Sequence, residues 1–81
     1  MLAVLPLRIG AVLKAYWSNG SVYTTVDDDT PVEAFTLLVP GPLTLQERSD
    51  GSWAITHYDI TESTPYVVYV SVDFGQTWAE E

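Results

Sequence analysis

The sequence has no cysteine, one histidine and only three basic residues among its 81 residues. Without cysteine no disulfide can form, and without a cluster of cysteine and histidine no structural zinc site is expected. A chain of this length buries only about 60–65% of its unfolded surface, so its own core gives limited stability. Small domains usually gain more stability from a staple or from association. We therefore expect self-association or docking onto a larger body.

Positive charge is scarce, because Arg8, Lys14 and Arg48 oppose eleven acidic residues and leave a net charge of −8. Such a chain is repelled by phosphate backbones and by anionic membrane surfaces, so neither nucleic acid nor membrane is an expected partner. The apolar residues 1–17 lack a basic start and are interrupted by Pro6 and two of the bases, which predicts neither a signal peptide nor a membrane span. The lack of cysteine fits assembly in a reducing cytoplasm.

Turn signals recur at short intervals between segments rich in valine, tyrosine, threonine and leucine. This spacing predicts a single all-β domain over residues 1–81, a small antiparallel β-sandwich or partly open barrel of about seven to eight short strands built from hairpins. Asn19-Gly20 and Asp50-Gly51 predict two type I′ hairpin turns, in which both central residues need positive φ. Both turns read Ser-Asn/Asp-Gly-Ser, which reflects either an internal repeat or turn chemistry alone.

Alternation of side chains predicts which residues share a strand face. In the second strand Leu13, Ala15 and Trp17 lie together, opposite Lys14 and Tyr16. The segment Tyr66 to Val72 is apolar on both faces, which predicts a central strand or one whose outer face is covered by a partner. Three further predicted faces are Leu5 with Leu7 and Ile9, Phe35 with Leu37 and Val39, and Trp53 with Ile55 and His57.

Residues 71–78 carry the most specific motif, because Ser71, Asp73, Gly75, Thr77 and Trp78 read Ser-x-Asp-x-Gly-x-Thr-Trp. The aspartate can accept bonds from backbone N–H groups of the turn, and the glycine allows positive φ. The two hydroxyls can close the turn, and the indole can anchor it to the body. Every one of these roles stabilises a turn, and none activates a nucleophile.

The segment resembles the Asp box, a short motif that recurs in sialidase-like β-propellers and other β proteins. The resemblance implies an architectural turn that lies away from a catalytic centre. It does not extend to sialidase activity, because the chain has strands for about two propeller blades. Sialidases also bind the substrate carboxylate with an arginine cluster, whereas only Arg8 and Arg48 are present here.

No other group of residues predicts catalysis, a metal or a cofactor. His57 lies on a strand face beside apolar residues, which favours a packed, hydrogen-bonded histidine. Asp27, Asp28 and Asp29 do not have the spacing of an EF-hand loop, so a solvated turn is favoured over a calcium site. We therefore predict that the chain is not an enzyme.

Most aromatic residues fall in or beside the predicted hairpins. Such residues either pack across strands in the core or form exposed platforms that contact carbohydrates and proteins. The candidates for an interface or a sugar contact are Tyr16, Trp17, Tyr23, Trp53 and Tyr69.

These features favour a small structural protein that docks into a larger assembly, as a homo-oligomer or on another protein. The overall style is similar to small β-rich proteins of tailed-bacteriophage virions, which implies a capsid decoration protein or a tail or baseplate accessory located in the virion. Two alternatives remain open. One is a carbohydrate-binding module that uses hairpin aromatics, and the other is an acidic inhibitor that mimics nucleic acid.

Overall fold

Two antiparallel four-stranded sheets make up the computed structural model, which describes residues 2–37, 41–58 and 65–81. The predicted all-β sandwich is confirmed. In each sheet the strands follow chain order, because strands joined by short connections pair as neighbours. The first sheet contains β1 (Leu2–Pro6), β2 (Val12–Ser18), β3 (Ser21–Val26) and β4 (Val32–Thr36). The second sheet contains β5 (Leu43–Glu47), β6 (Trp53–Tyr58), β7 (Pro65–Ser71) and β8 (Ala79–Glu80).

The predicted alternation places apolar side chains between the two sheets. Leu13 and Ala15 are fully buried on β2, and Trp17 packs against the same core. Phe35 and Leu37 are buried as predicted, whereas Val39 lies outside the described residues. The predicted β6 face of Trp53, Ile55 and His57 is buried, and Ala54 on the opposite face of that strand is buried too.

The core consists of two neighbouring clusters that both draw on the two sheets. In the first, Phe35 of β4 stacks on Tyr69 of β7 with ring centroids 3.8 Å apart, which joins the sheets face to face. In the second, Leu7 and Leu13 pack around Trp53. Trp78 is half-buried and packs against both clusters, so it connects the C-terminal hairpin to the whole interior.

The sheets approach each other along the edges of β1 and β5. There the backbone N–H of Arg8 donates to Oε1 of Glu47 at 3.0 Å, and the guanidinium lies 3.7 Å from the same oxygen. The sandwich is thus closed on this side by an ion pair as well as by packing.

The turn at Asn19-Gly20 has positive φ at both residues, 49° and 86°, as a type I′ turn requires. The same prediction for Asp50-Gly51 is wrong, because only Gly51 has positive φ. Here the N–H of Gly51 donates to the carbonyl of Arg48, and the N–H of Arg48 donates to the carbonyl of Ser52. This is a three-residue loop that ends in a left-handed glycine, the next most common hairpin connection.

The hairpin between β1 and β2 has the same two backbone bonds, made by Leu7, Gly10 and Ala11. Ile9 therefore lies in a turn and is 65% exposed, which corrects its predicted place on a strand face with Leu5 and Leu7. The β1–β2 and β5–β6 hairpins, which share this turn geometry, are the first two strands of their respective sheets. The two Ser-Asn/Asp-Gly-Ser turns occupy different places in their sheets and differ in conformation, so turn chemistry explains their likeness.

Candidate functional site

The turn after β7 is built around the carboxylate of Asp73. Its Oδ1 accepts bonds from the backbone N–H of Thr77 at 2.9 Å and from the hydroxyl of Ser71 at 2.8 Å. Its Oδ2 accepts the hydroxyl of Thr77. The oxygen of Ser71 in turn accepts the N–H of Gly75 at 2.9 Å. The bonds from Thr77, followed by that from Ser71, lower the pKa of Asp73 to about 2.

Gly75 lets this turn lie directly on the core. Its φ is +83°, and a Cβ built there would be 3.2 Å from Cζ3 of Trp53 and 3.9 Å from Cζ2 of Trp78. A side chain at this position would therefore meet both backbone strain and the two indoles. The five motif residues thus form one turn that is fastened to the interior, while the kinship with Asp-box proteins stays a prediction.

The turn also presents Phe74, which the sequence analysis did not single out. Its backbone has a φ of 60°, an unfavourable left-handed conformation for a bulky residue. Its side chain is 66% exposed, and its ring meets that of Trp53 edge to face at a centroid distance of 5.8 Å. Val72, two residues earlier, is 84% exposed. The turn therefore holds two apolar side chains in solvent, one of them at a backbone cost.

Phe74 lines two separate clefts. One has a volume of about 210 Å³ and runs towards the connection between β3 and β4, with Asp29, Thr30 and Gln76 among its lining residues. The other has a volume of about 260 Å³ and lies against the turn between β5 and β6, where Asp50 and Ser52 line it together with Val72. We call the Phe74 ring, Val72 and these two clefts the Phe74 site.

The five aromatic candidates from the sequence do not converge on one surface. Trp53 is 2% exposed, and Tyr69 stacks in the core on Phe35. The indole N–H of Trp17 donates to the carbonyl of Leu37 at 2.8 Å, and its ring packs against the core. For these three the core interpretation holds. Trp53 nevertheless contributes to the Phe74 site from below.

Tyr16 and Tyr23 form the remaining pair on the outer face of the first sheet. Their rings stack with centroids 5.7 Å apart, because β2 and β3 place them directly opposite each other. Leu2 is opposite Tyr16 on the other side and is 61% exposed, and Val4 on the same strand is 53% exposed. This face is a second surface with exposed apolar side chains, separate from the Phe74 site, and it also carries Lys14 and Glu33.

The three consecutive aspartates each have a different partner. Asp27 accepts the N–H of Val12 at 2.8 Å, and Asp28 pairs with the ammonium of Lys14 at 2.8 Å. Asp29 accepts the N–H of Thr30. Within residues 2–37, 41–58 and 65–81 no three acidic, histidine or cysteine side chains are grouped as a metal site requires.

All three basic side chains of the sequence form ion pairs within the chain. Arg8 pairs with Glu47, Lys14 with Asp28, and Arg48 with Glu81, the last at 2.6 Å. The acidic excess of the chain is therefore carried by other carboxylates, among them Asp29 of the Phe74 site. The pKa of Asp50, in the other cleft, is lowered by its bonds from Ser52 and to a smaller extent by the charge of Arg48.

Comparison of the chain with protein-family models, with curated proteins and with solved structures found no match. The interpretation of the site therefore depends on its own geometry.

No helix of the length and hydropathy that a membrane crossing needs occurs in the described part of the chain.

Proposed function

We propose that the chain is a non-enzymatic structural module that docks onto a larger protein assembly through the Phe74 site. The observation that supports this is the exposed ring of Phe74, held in a left-handed backbone conformation by the Asp73 turn. Backbone strain of this kind costs about 1–3 kcal/mol and is concentrated at functional sites. Exposed aromatic residues in well-supported positions are also the usual anchors of protein interfaces.

The distribution of polar groups in the site favours binding over catalysis. Both carboxylate oxygens of Asp73 accept bonds from Ser71 or Thr77, so this group supports the turn. Asp50 accepts the N–H and hydroxyl of Ser52 at 2.9 and 2.6 Å, which orders the neighbouring turn in the same way. Catalytic acids and bases are instead poised to exchange protons near the working pH.

The assembly we propose is a tailed-phage virion, with the chain as a capsid decoration protein or a tail or baseplate accessory. A short chain without cysteine gains stability from a partner, which an assembly supplies in many copies. Its acidic surface keeps the unassembled protein soluble before docking.

Incorporation into purified particles tests this proposal. Affinity-tagged protein would be expressed during particle production, and gradient-purified virions would be analysed by quantitative mass spectrometry. We expect the chain in the particle fraction at a fixed ratio to a capsid or tail protein. A chain that stays entirely in the soluble fraction would contradict the proposal.

A matched pair of variants connects that experiment to the site. Phe74→Asn removes the exposed ring and keeps a residue type that tolerates left-handed φ. Ile9→Asn removes an apolar side chain of nearly equal exposure, 65% against 66%, from the turn between β1 and β2. We expect loss of incorporation for Phe74→Asn and normal incorporation for Ile9→Asn.

The outer face of the first sheet supports a second candidate function, glycan binding. Aromatic rings with a polar hydroxyl suit sugar contacts, and the half-buried Tyr16–Tyr23 stack provides two of them on one sheet face. A glycan array with the native chain and with Tyr16→Ala and Tyr23→Ala variants tests this. Binding of a glycan that both substitutions abolish would support it, and no binding on the array would exclude it for the glycans displayed.

A further inference from the structure

We propose that the Phe74 site binds a cationic side chain, arginine or lysine, of the partner protein. This inference rests on the proposed docking function and adds the chemistry of the partner. It depends on three features of the molecule: the exposed ring, a carboxylate in each of the two clefts, and the pairing of all three basic side chains with acids of the same chain.

The ring and the carboxylates form a suitable site for a cation. A guanidinium or ammonium is attracted to an aromatic face within about 6 Å of the ring centroid. Asp29 lines one of the two clefts that Phe74 borders, and Asp50 lines the other. A cation that enters either cleft therefore meets a ring and a carboxylate together, which gives it charge-assisted hydrogen bonds as well as the cation–π attraction.

The remaining lining residues suit the rest of such a side chain. Val72 and Phe74 provide apolar surface for the methylene stem of lysine or arginine, whose charged head stays among polar groups. Thr30 and Gln76 in one cleft and Ser52 in the other provide oxygen acceptors for guanidinium or ammonium N–H groups. A purely apolar partner would bury these groups without satisfying them.

Charge complementarity favours a different protein over a second copy. Each basic side chain of the sequence is already paired with an acid of its own chain. Two copies would also bring two net charges of −8 together. A partner with a basic surface is instead attracted by the negative charge of the chain, both in contact with it and during diffusional approach.

The test is an NMR titration of the isotope-labelled full chain with capped tripeptides. The probes are acetyl-Ala-Arg-Ala-amide, its lysine counterpart and its citrulline counterpart, which keeps the shape of arginine without the charge. We expect chemical-shift changes confined to the amides of Thr30, Ser52, Gly75 and Gln76. The citrulline peptide should bind at least about fivefold more weakly, because it loses about 1 kcal/mol of cation–π attraction and also the charge-assisted bonds to the carboxylates.

Matched variants separate local charge from net charge. Asp29→Asn with Asp50→Asn removes two charges from the clefts but leaves an oxygen that can accept the turn bonds from Thr30 and Ser52. Glu33→Gln with Glu80→Gln removes two exposed charges that line neither cleft. We expect the first pair to reduce the preference for arginine over citrulline to the part that the Phe74 ring provides, and the second pair to retain the full preference.

Two results would overturn the inference: equal binding of arginine and citrulline peptides, or no localised shifts at the highest soluble concentration. Failure of docking itself gives a different result. If Phe74→Asn is lost from particles while Asp29→Asn/Asp50→Asn is incorporated normally, docking stands and the cationic partner is excluded. If the cationic peptides bind but the chain is absent from particles, the proposed assembly is wrong.

Discussion

The Asp50 turn and the Asp73 turn lie side by side at the same end of the second sheet and use similar chemistry to different effect. In each, an aspartate accepts bonds from a nearby serine hydroxyl and from a backbone N–H. In each, a glycine has a φ close to +85°: 90° at Gly51 and 83° at Gly75. The Asp50 turn needs nothing more to join β5 to β6.

The Asp73 turn differs because a second residue, Phe74, also has positive φ. A left-handed conformation costs an ordinary residue about 1–2 kcal/mol. The denser set of bonds around Asp73 and the contact of Gly75 with Trp53 keep the backbone in this form. The comparison indicates that the Asp50 turn serves the fold, whereas the Asp73 turn also holds a side chain for contact.

The largest expected effect comes from the indole beneath both turns. Trp53 pairs with Glu47 on one side and Ser71 on the other, and its side chain is 2% exposed. Trp53→Ala should lower the free energy of unfolding by about 3–5 kcal/mol, as truncation of a buried large aromatic residue does. Chemical denaturation measures this loss. A loss below about 1 kcal/mol would show that neither turn depends on the indole.

The next largest effect is the difference in stability loss between alanine substitutions at Gly51 and at Gly75. Gly51→Ala adds a Cβ in open space, so only the backbone cost of about 1 kcal/mol applies. Gly75→Ala adds the same cost and a Cβ 3.2 Å from the Trp53 ring, so it should be clearly more destabilising. Thermal denaturation of both variants compares them directly. Equal losses would mean that the turn can move away from the indole.

Acid should weaken the native chain through Asp73. Because its pKa falls to about 2 on folding, its charge stabilises the native state fully above its ordinary value of 3.8. This contribution is lost as the pH falls through about 2. Between pH 4 and pH 2 the native chain should therefore lose more stability than Asp73→Asn, which cannot titrate there. Urea unfolding across this range checks it, and parallel curves would contradict the role of Asp73.

The smallest expected effect on stability is that of Phe74→Asn. The edge-to-face contact with Trp53 is worth about 0.5–1.5 kcal/mol, and its loss is offset by relief of the left-handed backbone cost. The free energy of unfolding should therefore change by less than about 1 kcal/mol. A larger loss would identify Phe74 as a structural residue and weaken its assignment to docking.

Sequence reasoning predicted the fold class and most buried faces because alternation along a strand directly reports which side chains share a face. The face of Leu13 and Ala15 is one example. The alternation prediction is wrong at Ile9, because an apolar residue in a turn cannot be distinguished by alternation from a strand residue. The turn at Asp50-Gly51 was also misjudged, because one dipeptide is compatible with two loop lengths whose choice depends on strand register.

The candidate site could be predicted only in part. The motif identified Ser71, Asp73, Gly75 and Thr77, since each has a local role in closing the turn. Phe74 occupies a variable position of that motif, and neither its exposure nor its φ follows from local chemistry. The cleft beside Asp29 depends on the packing of the two sheets, which brings the connection between β3 and β4 near the turn. The cleft beside Asp50 depends on the pairing of β6 with both β5 and β7.

The central claim is that the Asp73 turn holds Phe74 for docking. Its most direct test is a competition between native chain and variants for incorporation into the particle. Native chain and Phe74→Asn, distinguished by mass, would be expressed at equal levels, with native chain and Ile9→Asn as the control pair. Mass spectrometry of purified particles gives each ratio. We predict a strong excess of native chain over Phe74→Asn and equal amounts in the control pair. Equal amounts in both pairs, with both variants folded, would contradict the account.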